Sequence, residues 1–156
     1  MKQSAGILVY RIKNKSLEIL LVHPGGPFWV KKDIGAWTIP KGEPGEAEDL
    51  LITAKREFVE ETGKEITGSF IELKPIKQKS GKLIFAWAIE SEFNVSELKS
   101  NMFEIEWPPG SAKKKSFPEI DKAEWFNKEK ALIKINSGQQ GLINELEEIL
   151  KQNKTL

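Results

Sequence analysis

The stretch "AKREFVEETGK", residues 54–64, decides how the rest of the chain is read. It has the form of a helix end, with Gly63 as a left-handed cap. Three carboxylates, Glu57, Glu60 and Glu61, fall in its last two turns. A helix C-terminus carries partial negative charge, and like charges three or four residues apart repel. At about 100° per residue, Glu60 lies about 60° to one side of Glu57 and Glu61 about 40° to the other. Ala47, Leu51, Ala54 and Phe58 form an apolar stripe beside them, so the acids border a buried edge. Oxygen ligands so placed suit a hard divalent cation, Mg²⁺ or Mn²⁺, which reverses both penalties.

The whole chain bounds the possibilities. Its 156 residues fit one domain, 1–156, with a substantial core. A formal net charge of +1 gives no reason to expect nucleic-acid or membrane binding. The chain has no cysteine, which excludes disulfides and thiolate metal sites and suits a reducing compartment. "MKQSAGILVYRIK" is too short an apolar run to span a bilayer and lacks a signal-peptide pattern. The expectation is a cytoplasmic protein.

Outward from the helix, "AGILVYRIK" (5–13) and "LEILLVHP" (17–24) are β-rich and joined by "NKS", a hairpin. "PGGP" (24–27) is a loop. A short strand is expected around Trp37 to Ile39, then the first helix from about Ala47 to Thr62. "SFIELKPIKQ" (69–78) and "KLIFAWAIESEF" (82–93) read as strands, 94–118 as a long irregular segment, and "AEWF" as a short last strand. "GLINELEEILKQ" (141–152) is a terminal amphipathic helix whose apolar face packs on the sheet. Strands before and after a helix, with a second helix at the end, indicate an α/β sandwich with a mixed sheet.

The full approach, "GEPGEAEDLLITAKREFVEETGK" (42–64), resembles the Nudix box of the Nudix hydrolases. Gly42, Glu48, Arg56, Glu57, Phe58, Glu60, Glu61 and Gly63 stand at the spacing of the box. Lys64 departs from it, since the family has an apolar residue there, and Ile66 is expected to supply that packing. The resemblance covers nearly the whole chain. It implies the Nudix fold, an α/β/α sandwich with a central mixed β-sheet, and hydrolysis of a nucleoside diphosphate linked to another group. It implies that Glu57, Glu60 and Glu61 hold Mg²⁺ or Mn²⁺, with the Gly42 carbonyl as a further ligand. Glu119 in "PEIDKAEWF", six residues before Trp125, matches the family's late-loop glutamate, a further metal ligand or the base; Glu104 and Glu106 are the alternatives. Arg56 orients the acids, paired with Glu48, and the general base is Glu57 or Glu119, a point on which family members differ.

For the substrate, a small-molecule nucleotide, Lys41 in "IPKG" stands beside the metal-bearing loop and is placed to neutralise phosphate. Lys82 is a further candidate, with Lys31, Lys32, Lys77 and Lys79 behind it. Of five tryptophans, Trp87 and Trp125 read as core, while Trp29, Trp37 and Trp107 flank loops and, with Phe28 and Phe103 nearby, are candidates to stack a base. His23, the one histidine, reads as structural at a strand end. "AWTIPKGE", "GKLIFAWAIE" and "EIDKAEWF" look most like the diadenosine tetraphosphate hydrolase branch, which implies cleavage to ATP and AMP. Alternatives are a nucleoside triphosphate or ADP-ribose pyrophosphatase, and a non-catalytic nucleotide sensor. The sensor reading is disfavoured because all four box glutamates and the arginine are present.

Overall fold

The computed structural model describes residues 2–156. The chain runs β1 (Gln3–Lys13), β2 (Ser16–Pro24), β3 (Lys41–Gly42), α1 (Leu50–Thr62), β4 (Ile71–Glu72), β5 (Ile76–Lys77) and β6 (Leu83–Glu90). There follow β7 (Met102–Glu106), β8 (Lys114–Pro118), β9 (Ile120–Asn127), α2 (Lys128–Lys134) and α3 (Gln140–Gln152). The central sheet has the order β4-β6-β1-β2-β9, with β3 added to β1 and β5 to β6. β1 and β6 are parallel from Gln3↔Leu83 to Tyr10↔Glu90, and the other pairs are antiparallel. The sheet is mixed, as expected.

Both faces of this sheet are covered, which explains why β1 and β2 are apolar almost throughout rather than alternating. Leu8, Tyr10, Ile19 and Leu21 face one layer with Leu142, Ile143, Leu146 and Leu150 of α3. Ala5, Ile7, Val9, Leu20 and Val22 face the other with Ala54 and Phe58 of α1. The result is an α/β/α sandwich. Among the described residues no helix is long and apolar enough to cross a membrane.

Several expectations are corrected. α1 begins at Leu50, because the Asp49 side chain accepts from the Leu51 and Ile52 N–H groups and caps the helix. Ala47 lies before it with φ +55°, exposed, so Leu50 and not Ala47 starts the apolar stripe. Trp37 to Ile39 is no strand: Thr38 exchanges two backbone bonds with Val22, and Trp37 bridges Ile135. Residues 94–118 are not irregular throughout. They contain the β7–β8 hairpin, a separate two-stranded sheet. The last strand is eight residues long instead of four, and α2 follows it where no helix was expected. Ile66 does pack against the α1 core, while Lys64 turns to Glu97 at 2.5 Å.

The fold reaches the site through Gly6. A Cβ there would lie 2.6 Å from the Pro40 carbonyl oxygen and 2.7 Å from the Lys41 Cβ. Only glycine lets β3 lie on β1 (Ala5↔Gly42, Gly6↔Lys41). Gly6→Val is expected to cost about 1–3 kcal/mol through overpacking. Denaturant unfolding checks it, and an unchanged midpoint would contradict the close approach.

Candidate active site

α1 carries the acids, and the turn before it aims them. Glu48 accepts from the Gly45 N–H at 2.9 Å and the Thr53 hydroxyl at 2.8 Å. It also takes Arg56 bidentately, from Nε at 2.9 Å and Nη2 at 2.8 Å. The Arg56 bonds, then the Gly45 N–H and Thr53, hold its carboxyl down at about 2. Arg56 is thereby fixed by a fork-to-fork pair. Its Nη1 then donates to Glu57 at 2.7 Å and Glu60 at 3.1 Å, and its Nη2 to the Glu43 carbonyl at 3.1 Å. One guanidinium thus relieves the repulsion between Glu57 and Glu60.

It does not relieve Glu61. That side chain is buried, and burial pushes its carboxyl up to about 8, with the charges of Glu57 and Glu119 adding to the effect and Lys41 opposing it. Burial also raises Glu57 against the pull of Arg56. Gly42 is pressed on Glu57: a Cβ there would lie 2.0 Å from the Glu57 carboxyl carbon. Lys41 is driven down first by burial and then by the charge of Lys82, while Glu61, Glu43 and Glu57 hold it up. Four carboxylates, Glu57, Glu60, Glu61 and Glu119, therefore share two cations, one of them already committed to Glu48. Every donor is a hard oxygen, which fits a divalent cation of the Mg²⁺ type. Among the described residues no three acidic or imidazole side chains are already drawn to metal-ligand spacing.

A cavity of about 350 Å³ opens beside these acids, lined by Glu61, Glu119 and Lys41 together with Trp29 and Phe103. Glu119 is half-buried and accepts from Asn101 Nδ2 at 3.3 Å. Phe103 arrives from β7 and seats on Gly26, whose φ is +96° and whose missing Cβ would be 2.8 Å from the ring. Trp29 is 39% exposed, with Lys32 Nζ 4.9 Å from its ring centre.

Other candidates fall elsewhere. Trp37 is 2% exposed, its Nε1 donating to Asp33 at 2.7 Å and its ring edge-on to His23 and Phe126, so it has no free face for a base. It belongs to the core. Lys82 lines a neighbouring groove. Glu104 faces Lys114, and Glu106 accepts from the Gly110 N–H within the hairpin turn. Trp125 donates to the Phe93 carbonyl at 3.0 Å beneath Arg11.

His23 is wholly buried and fastens the loop that carries Trp29. Nε2 donates to the Lys32 carbonyl at 2.6 Å, and Nδ1 lies 2.8 Å from Asp121 on β9. Sequence reasoning found the residue but not its partners, which are 9 and 98 positions away. Asp121 and Asn101 were missed, and nothing in their local sequence marks them; Gly26 was read only as part of the 24–27 loop.

With this geometry in hand, the family is settled by comparison. Residues 2–146 match the model of the NUDIX domain. The chain belongs to the Nudix family. It is a Nudix pyrophosphohydrolase, an enzyme acting on nucleotide-linked substrates. Its fold is similar to a Caenorhabditis elegans Ap4A hydrolase in a binary complex, at 20% identity and TM-score 0.66, over 97% of this chain and 99% of that one. It is also similar to the NUDIX domain of Shewanella oneidensis NrtR complexed with ADP ribose, at 16% identity and TM-score 0.66, over 96% and 88% of the two chains. A MutT protein from Methanosarcina mazei Go1 aligns at 17% identity and TM-score 0.62, over 96% and 95%. Comparison with curated protein sequences gives no match.

Glu61 sets a pH dependence. Its ordinary value is 4.5 and its folded value about 8, so between the two the folded state holds a proton that the unfolded chain has lost. The Glu61 contribution to metal-free stability therefore falls as pH rises through that window, by on the order of 1.4 kcal/mol per unit at most. In chelator, Glu61→Gln should grow steadily more stable relative to wild type from about pH 5 to about pH 8. Thermal unfolding across that range checks it. Parallel pH profiles for the two proteins would contradict the burial of this carboxyl.

Proposed function

We propose that this chain hydrolyses diadenosine tetraphosphate asymmetrically to ATP and AMP, with Mg²⁺ or Mn²⁺. The observation that supports this is the single cavity bordered by Glu61, Glu119, Lys41, Trp29 and Phe103. It joins what a nucleotide polyphosphate needs: aromatic surface for a base, a cation for phosphate, and carboxylates at the scissile end. The C. elegans structure, an Ap4A hydrolase, shares the fold over nearly its full length.

Glu57, Glu60, Glu61 and the Gly42 carbonyl would hold the metal, which leaves Glu119 for the water. When bound, a divalent cation neutralises phosphate oxygens and lowers the pKa of a coordinated water. The chain's own groups do the rest. Arg56, anchored on Glu48, keeps Glu57 and Glu60 turned toward the β3 side of α1. Lys41 meets the negative charge of the phosphate chain. Trp29 and Phe103 offer apolar faces on which an adenine stacks, a contact worth roughly 1–3 kcal/mol.

Glu119 is our choice of base. Glu57 is held between Arg56 and Gly42, whereas Glu119 has only the 3.3 Å contact from Asn101 and is free to approach a water for in-line attack. Glu119→Gln is expected to lower kcat roughly 10²–10⁴-fold with little change in KM. Full activity in that variant would return the role to Glu57.

The substrate is tested by Mg²⁺-dependent release of ATP and AMP from diadenosine tetraphosphate, measured beside ADP-ribose and the common nucleoside triphosphates. The proposal expects the dinucleotide to have the highest kcat/KM. Equal or faster turnover of a triphosphate or of ADP-ribose would remove it.

A further inference from the structure

We propose that the outer face of α1 is a self-complementary interface whose occupant is the same face of a second copy of this chain. The proposal goes beyond the hydrolase reading and does not depend on which nucleotide is cleaved.

α1 packs its inner face on the sheet through Ala54 and Phe58 and turns one edge to the acidic site. What it turns outward is not the polar stripe that a surface helix ordinarily shows. Ile52 is 58% exposed and Val59 38% exposed. Being two helical turns apart, they stand on one side of α1, with Lys55 and Arg56 between them. These four side chains line a groove of about 390 Å³ with Glu65, Ile66 and Thr67 from the segment after the helix. An apolar centre with charge at its margin is the composition of a protein–protein interface.

The charges of the groove are set apart from one another. Lys55 lies mid-helix, its Nζ 4.9 Å from the Phe70 ring centre. Glu65 lies just past the Gly63 cap, where it and Ile66 also border a second hollow with Glu92 and Glu97 on its wall. Glu97 there already has Lys64 at 2.5 Å, and Glu92 has Arg11 at 2.8 Å. Among the described residues, neither Lys55 nor Glu65 has an ion-pair partner in its own chain.

A groove with one unpaired cation and one unpaired carboxylate fits an occupant that carries the same two charges in reverse order. A second copy turned by a two-fold axis is such an occupant. With the axis beside Lys55 and Arg56, the two α1 helices run antiparallel, and Ile52 of each copy meets Val59 of the other. Each Lys55 then faces the C-terminal end of the other copy's helix. That end carries the negative pole of the dipole, has no basic residue in its last turn, and is followed by Glu65. A net charge of +1 gives two copies little overall repulsion. Arg56 lines the groove and holds Glu57 and Glu60, so association also removes water from beside the guanidinium that organises the acids.

Sedimentation velocity on the full chain, over a micromolar concentration series, tests the interface. Wild type should pass from monomer to dimer as concentration rises. Ile52→Glu with Val59→Glu should stay monomeric with its far-UV circular dichroism retained. Lys55→Glu and Glu65→Lys should each weaken association about tenfold or more, and the two changes in one chain should restore it to within about threefold. Mixing the two single variants should give a heterodimer, because every charge then meets its opposite. Monomer at every concentration would leave the groove to some other partner and overturn the proposal. A dimer that survives the double glutamate change would also overturn it, placing the contact elsewhere, as on the 28–34 loop with its exposed Phe28 and Ile34. Failure of the charge swap to restore association would overturn the antiparallel pairing.

Discussion

A carboxylate that is buried beside two others is the constraint around which this molecule is arranged. Glu61 loses most of its water, faces Glu57 and Glu119, and has Lys41 as the cation that opposes them. The position at the C-terminal end of α1 makes matters worse, because the helix dipole is negative there and no basic residue stands in its last turn. Arg56 answers Glu57 and Glu60 but not Glu61. An excess of anionic oxygen, fixed on a rigid helix, is a state that divalent cations relieve.

The scaffold keeps the acids from escaping. α1 is pinned by Phe58 and Ala54 against β1, so its acidic edge cannot roll outward without exposing that core. The central parallel pair, β1 and β6, fixes β1, and Gly6 lets β3 lie directly on it. β3 in turn presents Gly42 to Glu57 with no side chain between them. The opposite wall is brought up by β9 and the β7–β8 hairpin, tied by the bond from the Glu119 N–H to the Asn101 carbonyl at 2.9 Å. Charge, backbone approach and packing therefore act on the same few residues.

Much of this was legible in the sequence because it is local. The box residues act within one helix and the turn before it, so helical spacing carries the shared acidic edge and the family resemblance implies the Arg56–Glu48 pair. The order of strands and helices indicated a mixed sheet in a sandwich, while the apolar runs of β1 and β2 were read only as a hairpin. What escaped depends on partners distant in sequence or on signals too short to repeat. Trp37 flanks a loop in the sequence, yet it is closed over by His23 and Phe126. In β7, Phe103 and Ile105 alternate with acids, but five residues beside a proline pair and a lysine run gave too weak a pattern. α2 has seven residues, under two full turns of helical period. Ala47 kept the helical spacing but takes a positive φ ahead of the Asp49 cap.

Direct titration of Mg²⁺ or Mn²⁺ into the protein, followed by calorimetry with and without a non-hydrolysable dinucleotide, bears on the central claim most directly. The account predicts saturable uptake that is strengthened by the nucleotide and lost in Glu61→Gln. Heat no greater than that of dilution, in both conditions, would mean that the crowded acids serve some end other than holding a cation.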